Sequence, residues 1–183
     1  MNQAPVVVSP IIHVLIGQVH VARKPYILFA VLGSCVGVTI IDRVSGIGGM
    51  AHVLLPVSRG VADAGMPGKY ADLAVDCLVD SLIECGATDG NLIAYLAGGA
   101  ALCGDGDLNS GIGIANVATV HRCVKRRRVA IAERHLGGHA GRKVTFRLET
   151  GEHSVEELRS TEQVINHERA QSRDHGQRRR GAR

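Results

Sequence analysis

The sequence predicts a mixed α/β domain in which layers of strands are packed with helices. Several short apolar runs have the length of strands and are bounded by glycine or proline, and two longer segments repeat apolar residues at the helical period. A chain of 183 residues, 45% of them hydrophobic, is long enough to bury one core without disulfides. Several strands and two helices in this order give a layered domain of the α+β type.

The N-terminal part of the chain is predicted to be rich in strands. Its first apolar runs are bounded by Gly17 and by Lys24-Pro25, residues that favour turns. Two further runs flank the short segment Arg43-Val44-Ser45-Gly46, which predicts a β-hairpin. The four predicted strands are residues 11–19, 26–32, 36–42 and 47–55.

Two helices and three more strands are predicted in the rest of the domain. Residues 69–85 place apolar side chains on one helical face and are followed by Gly86, a helix stop signal. Residues 142–149 alternate apolar and polar side chains, as a half-buried strand does. Between these segments lie a strand at 91–97, a glycine- and aspartate-rich loop at 103–113, a helix at about 115–128 and a strand at 129–134.

The domain is predicted to end near residue 153, where the sequence turns polar and charged. Residues 1–153 then form the domain, and residues 154–183 form an Arg-rich tail that we expect to be disordered. Residues 169–183 of this tail hold six arginines against one acid, Asp174, a local balance of +5 in a chain whose net charge is +4, and a second basic cluster lies at 122–128. Because aromatic residues make up only 3% of the chain and Trp is absent, we expect no nucleic-acid partner and interpret both basic segments as solvated.

Cysteine usage and the N-terminus predict a cytoplasmic protein with no membrane insertion. The five cysteines form no CxxC pair, so we expect reduced thiols rather than disulfides or a zinc knuckle. Pro10 and His13 interrupt the N-terminal apolar run, and no basic residue precedes it, unlike a signal peptide. No segment approaches the roughly 18 uninterrupted apolar residues that a membrane span requires.

The glycine-rich and histidine-containing segments do not predict a cofactor or a metal. The segment Gly111-Ile-Gly113-Ile-Ala-Asn116 has Asn in place of the third glycine of a dinucleotide-binding loop. His135 and His139 have a zinc-ligand spacing, but two glycines lie between them and would break a helical face. We therefore expect neither a bound cofactor nor a metal site.

Cys35 and His52 are predicted to share one face of the hairpin. Cys35 follows Gly33-Ser34 in a turn that opens the third predicted strand. A hairpin turn centred on Val44-Ser45 places His52 opposite Gly37 and diagonal to Cys35. Diagonal neighbours lie roughly 7–8 Å apart at the backbone, within reach of an imidazole.

Such a face has the groups that nucleophilic catalysis requires. His52 would lower the pKa of the Cys35 thiol and take its proton, leaving a thiolate that attacks a carbonyl carbon. Backbone N–H groups of the turn at Gly33 and Ser34 are candidate oxyanion donors. Thr39 shares the predicted face and is the candidate for holding the His52 ring in one tautomer. A three-residue hairpin loop would instead put His52 on the opposite face, so the sequence leaves both arrangements open.

The other cysteines are predicted to be less reactive than Cys35. Cys77, Cys85 and Cys123 lie on the apolar faces of the two predicted helices, where burial raises a thiol pKa. Cys103 lies in a predicted loop. Cys35, beside His52, is therefore expected to be the one fast-reacting thiol of the five.

The residues around Cys35 and His52 resemble a known family. The segments LGSCV at 32–36 and GGMAHVLLP at 48–56 are similar to those of the chemoreceptor glutamine deamidase family CheD. The resemblance spans roughly residues 12–151. It continues in GKYAD at 68–72, AGGA at 97–100, Ile112-Gly113 with Asn116, and Gly137-Gly138 with GRKV at 141–144.

The resemblance implies a cysteine-hydrolase fold of the kind found in deamidating bacterial toxins. It implies conversion of selected glutamines on methyl-accepting chemotaxis receptors to glutamates with release of ammonia, and it implies no cofactor. Carried over to this chain, Cys35 is the nucleophile and His52 the general base. The family threonine before the turn aligns here with Phe29 or Ala30, a departure that implies an impaired enzyme or a histidine oriented by another group. Family members also bind the chemotaxis phosphatase CheC.

Two other classes of function stay open at the level of sequence. A cysteine protease or amidase with another substrate would keep Cys35 and His52 but would not deamidate receptors. A non-catalytic adaptor that binds receptors or a phosphatase partner would agree with the missing threonine. Release of ammonia from purified receptor distinguishes all three.

Overall fold

Nine strands in two sheets and two helices make up the part of the chain that the computed structural model describes, residues 9–60, 63, 65–101 and 110–158. Neither of these helices combines the length and the hydropathy that crossing a bilayer requires. A short 3-10 turn, Asp89–Asn91, precedes the sixth strand. The elements are β1 (Ile11–His13), β2 (Val19–Arg23), β3 (Ile27–Leu32), β4 (Val36–Asp42), β5 (Ile47–Val53), α1 (Ala71–Glu84), β6 (Leu92–Gly98), α2 (Ser110–Arg126), β7 (Ala130–Leu136), β8 (Gly141–Arg147) and β9 (Glu152–Leu158).

The two sheets and the two helices form three layers. The five-stranded sheet has the order β2-β5-β4-β6-β7 and the four-stranded sheet the order β1-β3-β8-β9. One face of the five-stranded sheet packs on α1 and α2 in a large apolar cluster, and its other face packs on the four-stranded sheet in a second cluster. The predicted class, a strand sandwich packed with helices, is confirmed.

The register of the β4–β5 hairpin agrees with the prediction. Val36 pairs with Val53 and Gly37 pairs with His52. The prediction gave one buried face to this hairpin, whereas every residue of both strands is buried. The reason is that β4 and β5 lie in the middle layer, between the helices on one side and the second sheet on the other.

The predicted strand at 11–19 is wrong as a single element. It divides into β1 and β2, which belong to different sheets. The chain turns between them at Gly17, which has φ +77°, a conformation that glycine adopts without strain. The N–H of Gly17 donates to the carbonyl of His52, and the N–H of His52 donates to the carbonyl of Gln18. These two hydrogen bonds attach the turn between β1 and β2 to β5.

The predicted domain boundary at residue 153 lies too early, because β9 continues to Leu158 and pairs with β8 along its whole length. The polar composition that suggested a tail reflects an edge strand with an exposed face. Lys143 of β8 and Glu156 of β9, for example, form an ion pair at 3.2 Å. The rest of the predicted tail, residues 159–183, lies outside the described residues.

Two arginines of the basic cluster at 122–128 form ion pairs within the fold. Arg126 contacts Asp76 of α1 at 2.6 Å, and Arg127 contacts Asp80 of the same helix at 2.7 Å. All four side chains keep substantial solvent exposure, so each pair contributes at most about 1 kcal/mol. These charges join α1 to α2, which fits the solvated interpretation of the cluster.

His153 of β9 is an imidazole buried between the edges of the two sheets. Its side chain is 1% exposed and stacks on Tyr95 with ring centroids 4.9 Å apart. Neither ring nitrogen has a hydrogen-bond partner among the described residues. Burial lowers the pKa of His153 to about 4, although Glu133, 4.0 Å away, opposes this shift and His135 adds to it.

We predict that His153 makes the fold less stable in mild acid. A folded-state pKa below the unfolded value of 6.5 favours folding above pH 6.5, and this contribution is lost as the pH falls toward 4. The loss between pH 7 and pH 5 should be about 2 kcal/mol. His153→Phe, similar in shape, should remove that part of the pH dependence, as measured by urea unfolding at both pH values. An unchanged difference between the two pH values in the variant would show that His153 does not carry this effect.

Candidate active site

Cys35 lies in the tight turn that carries the chain from β3 in one sheet to β4 in the other. The carbonyl of Cys35 accepts from the N–H of Gly99 at 2.7 Å, and the carbonyl of Gly33 accepts from the N–H of Ala100 at 2.9 Å. Gly98 has φ +102°, and a Cβ there would overlap the carbonyl oxygen of Cys35. Because Gly98 has no side chain, the residues after β6 can come close enough to donate hydrogen bonds to the turn. The Cys35 residue is 7% exposed.

His52 lies on β5 with its ring almost fully enclosed, since the residue is 2% exposed. Its Nδ1 is 3.0 Å from the carbonyl oxygen of Val14. A carbonyl can only accept, so Nδ1 carries the proton and Nε2 holds a free lone pair. Nε2 is buried and has no hydrogen-bond partner among the described residues. Burial lowers the pKa of His52, and the bond to Val14 only partly offsets that effect, so the imidazole is the free base at neutral pH.

The structure places Cys35 and His52 on the same face but does not join them. His52 is opposite Gly37 and therefore diagonal to Cys35, as the sequence predicts. Within the described part of the chain, the imidazole forms no hydrogen bond with the thiol. Burial raises the pKa of Cys35, and the residue's own backbone N–H opposes this. The expectation of a thiolate that persists to low pH is therefore wrong for the resting state, in which a neutral thiol lies near a neutral imidazole.

Thr39 lies on the predicted face, but the structure does not bring it into contact with the His52 ring nitrogens. Its Oγ1 is buried and has no hydrogen-bond partner among the described residues. The carbonyl of Val14 holds the ring instead. Val14 is itself fixed, because its N–H donates to the carbonyl of Phe29 at 2.8 Å, next to the pairing of β1 with β3. The backbone of Phe29 thus supports the group that orients His52.

Val14 is the residue that sequence reasoning missed. It acts through its main-chain carbonyl, which every residue type possesses, so its side chain gives no signal. The only indirect signal is Gly17 itself, a residue that favours turns, which turns the chain beside His52.

A cavity of about 260 Å³ opens beside the His52 ring. Its lining residues are mostly apolar, and three of them, Leu15, Ile16 and Val31, are more than half exposed to solvent. The cavity therefore gives the buried His52 ring an opening to the surface with an apolar rim. The lining residues are His13, Val14, Leu15, Ile16, Phe29, Ala30, Val31 and His52.

The structure changes the predicted order of thiol reactivity. Cys85 ends α1 and is exposed, whereas Cys35 and Cys123 are buried and Cys77 is half-buried. The prediction that Cys85 is buried is wrong, because the helix ends there and its last residue projects into solvent. Cys103 lies outside the described residues.

We predict that Cys85 reacts before Cys35 when the protein is alkylated at pH 8. The thiolate is the reactive form, and Cys35 combines a raised pKa with low access, whereas Cys85 has ready access. Timed alkylation with iodoacetamide followed by peptide mapping measures the order. Labelling of Cys35 ahead of Cys85 at about pH 6 would instead indicate a thiolate–imidazolium pair in the resting protein.

Comparison with known proteins identifies the family of this chain. The family model described as CheD chemotactic sensory transduction matches residues 54–157. A chemoreceptor glutamine deamidase CheD from Thermotoga maritima is 39% identical over 150 residues, which cover 81% of this chain and 93% of the relative. A protein named "Probable chemoreceptor glutamine deamidase CheD" from Methanococcus maripaludis is 38% identical over 141 residues, 77% of this chain and 91% of the relative. The chain belongs to the CheD family.

Proposed function

We propose that this protein is a chemoreceptor glutamine deamidase, which hydrolyses glutamine side chains of methyl-accepting chemotaxis receptors to glutamate and ammonia. The observation that carries the proposal is the buried face on which His52, with a free Nε2 lone pair, lies diagonal to Cys35. Its relatives from Thermotoga and Methanococcus bear the corresponding names. An amidohydrolase of this kind needs a nucleophile, a base and oxyanion donors, and requires no cofactor.

The first half of the reaction forms a thioester. Nε2 of His52 accepts the proton of the Cys35 thiol, and the sulfur attacks the carbonyl carbon of the glutamine carboxamide. Backbone N–H groups of the turn at Gly33, Ser34 and Cys35 stabilise the oxyanion. When the tetrahedral intermediate collapses, the protonated His52 donates its proton to the departing nitrogen, and ammonia leaves.

The second half of the reaction is hydrolysis of the thioester. His52, again the free base, accepts a proton from a water molecule, and the resulting hydroxide attacks the same carbonyl carbon. The carbon–sulfur bond breaks, the proton returns to the Cys35 sulfur, and glutamate is released. Because Val14 holds Nδ1–H throughout, one nitrogen of the ring performs every proton transfer.

The apolar rim of the cavity fits a protein substrate better than free glutamine. Leu15, Ile16 and Val31 are each more than half exposed at the opening beside His52. A receptor segment that brings a glutamine to this opening would cover these side chains with its own apolar residues. Free glutamine has no group to place there, so we propose that it is a poor substrate. Binding of a CheC-type phosphatase is a further proposal from the family resemblance.

The proposed function is tested by incubating the purified protein with the cytoplasmic fragment of a receptor. Ammonia release and peptide mapping together should show equal amounts of ammonia and of new glutamate at specific glutamines. Cleaved receptor peptides would support the protease alternative. Binding of the fragment with no ammonia release would support the adaptor alternative.

A further inference from the structure

Asn116 of α2 is a fully buried amide that touches the turn carrying Cys35. Its Nδ2 donates to the carbonyl of Ser34 at 3.1 Å and to the carbonyl of Leu54 at 3.0 Å. Both partners can only accept, so the two N–H groups are used and the orientation of the amide is settled. The residue is 0% exposed, and its Oδ1 has no partner among the described residues.

A close approach of α2 to the end of β6 lets Asn116 reach the turn. Gly113 lies one helical turn before it, and a Cβ at Gly113 would come within 2.6 Å of the carbonyl oxygen of Gly99 and 3.0 Å of that of Ala100. The N–H groups of these two residues hold the carbonyls of Cys35 and Gly33. Three consecutive carbonyls of the turn, those of residues 33–35, therefore accept hydrogen bonds from the two residues that follow β6 and from Asn116 of α2.

The bond to Ser34 fixes the direction of the next N–H group. In a trans peptide the C=O and the N–H point in opposite directions. Because Asn116 draws the carbonyl of Ser34 toward α2, the N–H of Cys35 points away from the helix. This N–H lowers the pKa of the Cys35 thiol, which is the effect expected of an N–H that faces the sulfur. Among the described residues it donates to no backbone carbonyl, so it is free to receive an oxyanion.

We propose that Asn116 is a positioning residue that aims the backbone N–H of Cys35 at the oxyanion formed when the thiol attacks a carboxamide. The inference rests on the proposed function for its chemistry and on the two hydrogen bonds for its geometry. The second bond, to Leu54, ties the same amide to the chain two residues after His52. One side chain thus couples the turn that carries the nucleophile to the strand that carries the base.

The test compares Asn116→Leu with the matched control Thr119→Val in the full-length protein. Both positions are buried on α2, but the Thr119 hydroxyl accepts from Arg122 of the same helix and, in the described part of the chain, forms no hydrogen bond with the turn. An oxyanion donor acts only in the transition state, so Asn116→Leu should lower kcat by roughly 10- to 100-fold on receptor fragment and leave KM within about twofold. Thr119→Val should keep both constants near the wild-type values. If Asn116→Leu does not fold, Asn116→Ser should give the same pattern with a smaller effect.

A second measurement does not depend on turnover. With the N–H of Cys35 no longer held, the pKa of the thiol should rise, and alkylation of Cys35 at fixed pH near 7.5 should slow about threefold or more. Alkylation of Cys85 in the same sample is the internal control. Should wild type release no ammonia, the proposed function fails, and alkylation alone then decides whether Asn116 aims this N–H.

Three results would overturn the inference. One is a kcat and an alkylation rate in Asn116→Leu that both stay within twofold of wild type. The second is an increase in KM with unchanged kcat, which would place Asn116 in ground-state binding. The third is an equal loss of kcat in Thr119→Val, which would show that the loss comes from disturbed packing of α2 and not from the hydrogen bond to Ser34.

Discussion

Replacing Cys35 by alanine is expected to abolish ammonia release from receptor glutamines, with a rate at least about 10³-fold below wild type. The sulfur forms the bond that expels ammonia, and no other described thiol lies on the face with His52. The fold should persist, because a small buried side chain is replaced by a slightly smaller one. The measurement is steady-state ammonia release, with urea unfolding to establish that the variant is folded.

Cys123→Ala is the matched control for Cys35→Ala. Both cysteines are buried, Cys123 at 1% and Cys35 at 7% exposure, and burial raises the pKa of the Cys123 thiol as well, but Cys123 lies on α2 rather than in the turn. This variant should keep turnover within about twofold of wild type while losing a comparable amount of stability. If turnover survives in Cys35→Ala and falls in Cys123→Ala, Cys35 is not the nucleophile.

Replacing His52 by glutamine is expected to lower kcat by roughly 10²- to 10⁴-fold, the usual contribution of general acid–base catalysis. The glutamine amide can still donate to the carbonyl of Val14, so packing is largely kept while the titrating nitrogen is lost. Because burial lowers the pKa of His52 from its usual value of 6.5, the acidic fall of wild-type kcat/KM should have its midpoint below pH 6.5.

The pH profile distinguishes a base from a packing residue. In His52→Gln the acidic fall should disappear together with most of the rate. The variant His153→Phe, which removes the other buried imidazole, should retain both the rate and the acidic fall. An acidic fall in the wild-type rate with its midpoint above pH 6.5 would mean that a group other than His52 limits the reaction.

The hairpin that brings Cys35 and His52 together was predictable because a short turn fixes register. Once the turn at residues 43–46 is recognised, alternation along two strands assigns every side chain to a face. The central part of the site therefore follows from local sequence. The same alternation could not show that both faces are buried, since this depends on β1, β3 and β8 covering the hairpin from elsewhere in the chain.

Two features that tune the site, and one strand of the fold, were not predictable, each for a different reason. The carbonyl of Val14 orients His52 but has no side-chain signature. Burial raises the pKa of Cys35 because of packing between two sheets, which single-strand patterns do not reveal. The edge strand β9 has a polar composition that resembles a tail, and only its pairing with β8 identifies it as part of the domain.

The most direct test of the proposed mechanism is to detect its covalent intermediate. A receptor peptide that contains a target glutamine is mixed with the protein, the reaction is stopped with acid within the first turnover, and the protein is digested and mapped by mass spectrometry. The account predicts that the receptor peptide, having lost ammonia, is joined to Cys35 through a thioester. An adduct on any other residue, or new glutamate formed at the wild-type rate by the Cys35→Ala variant, would contradict it.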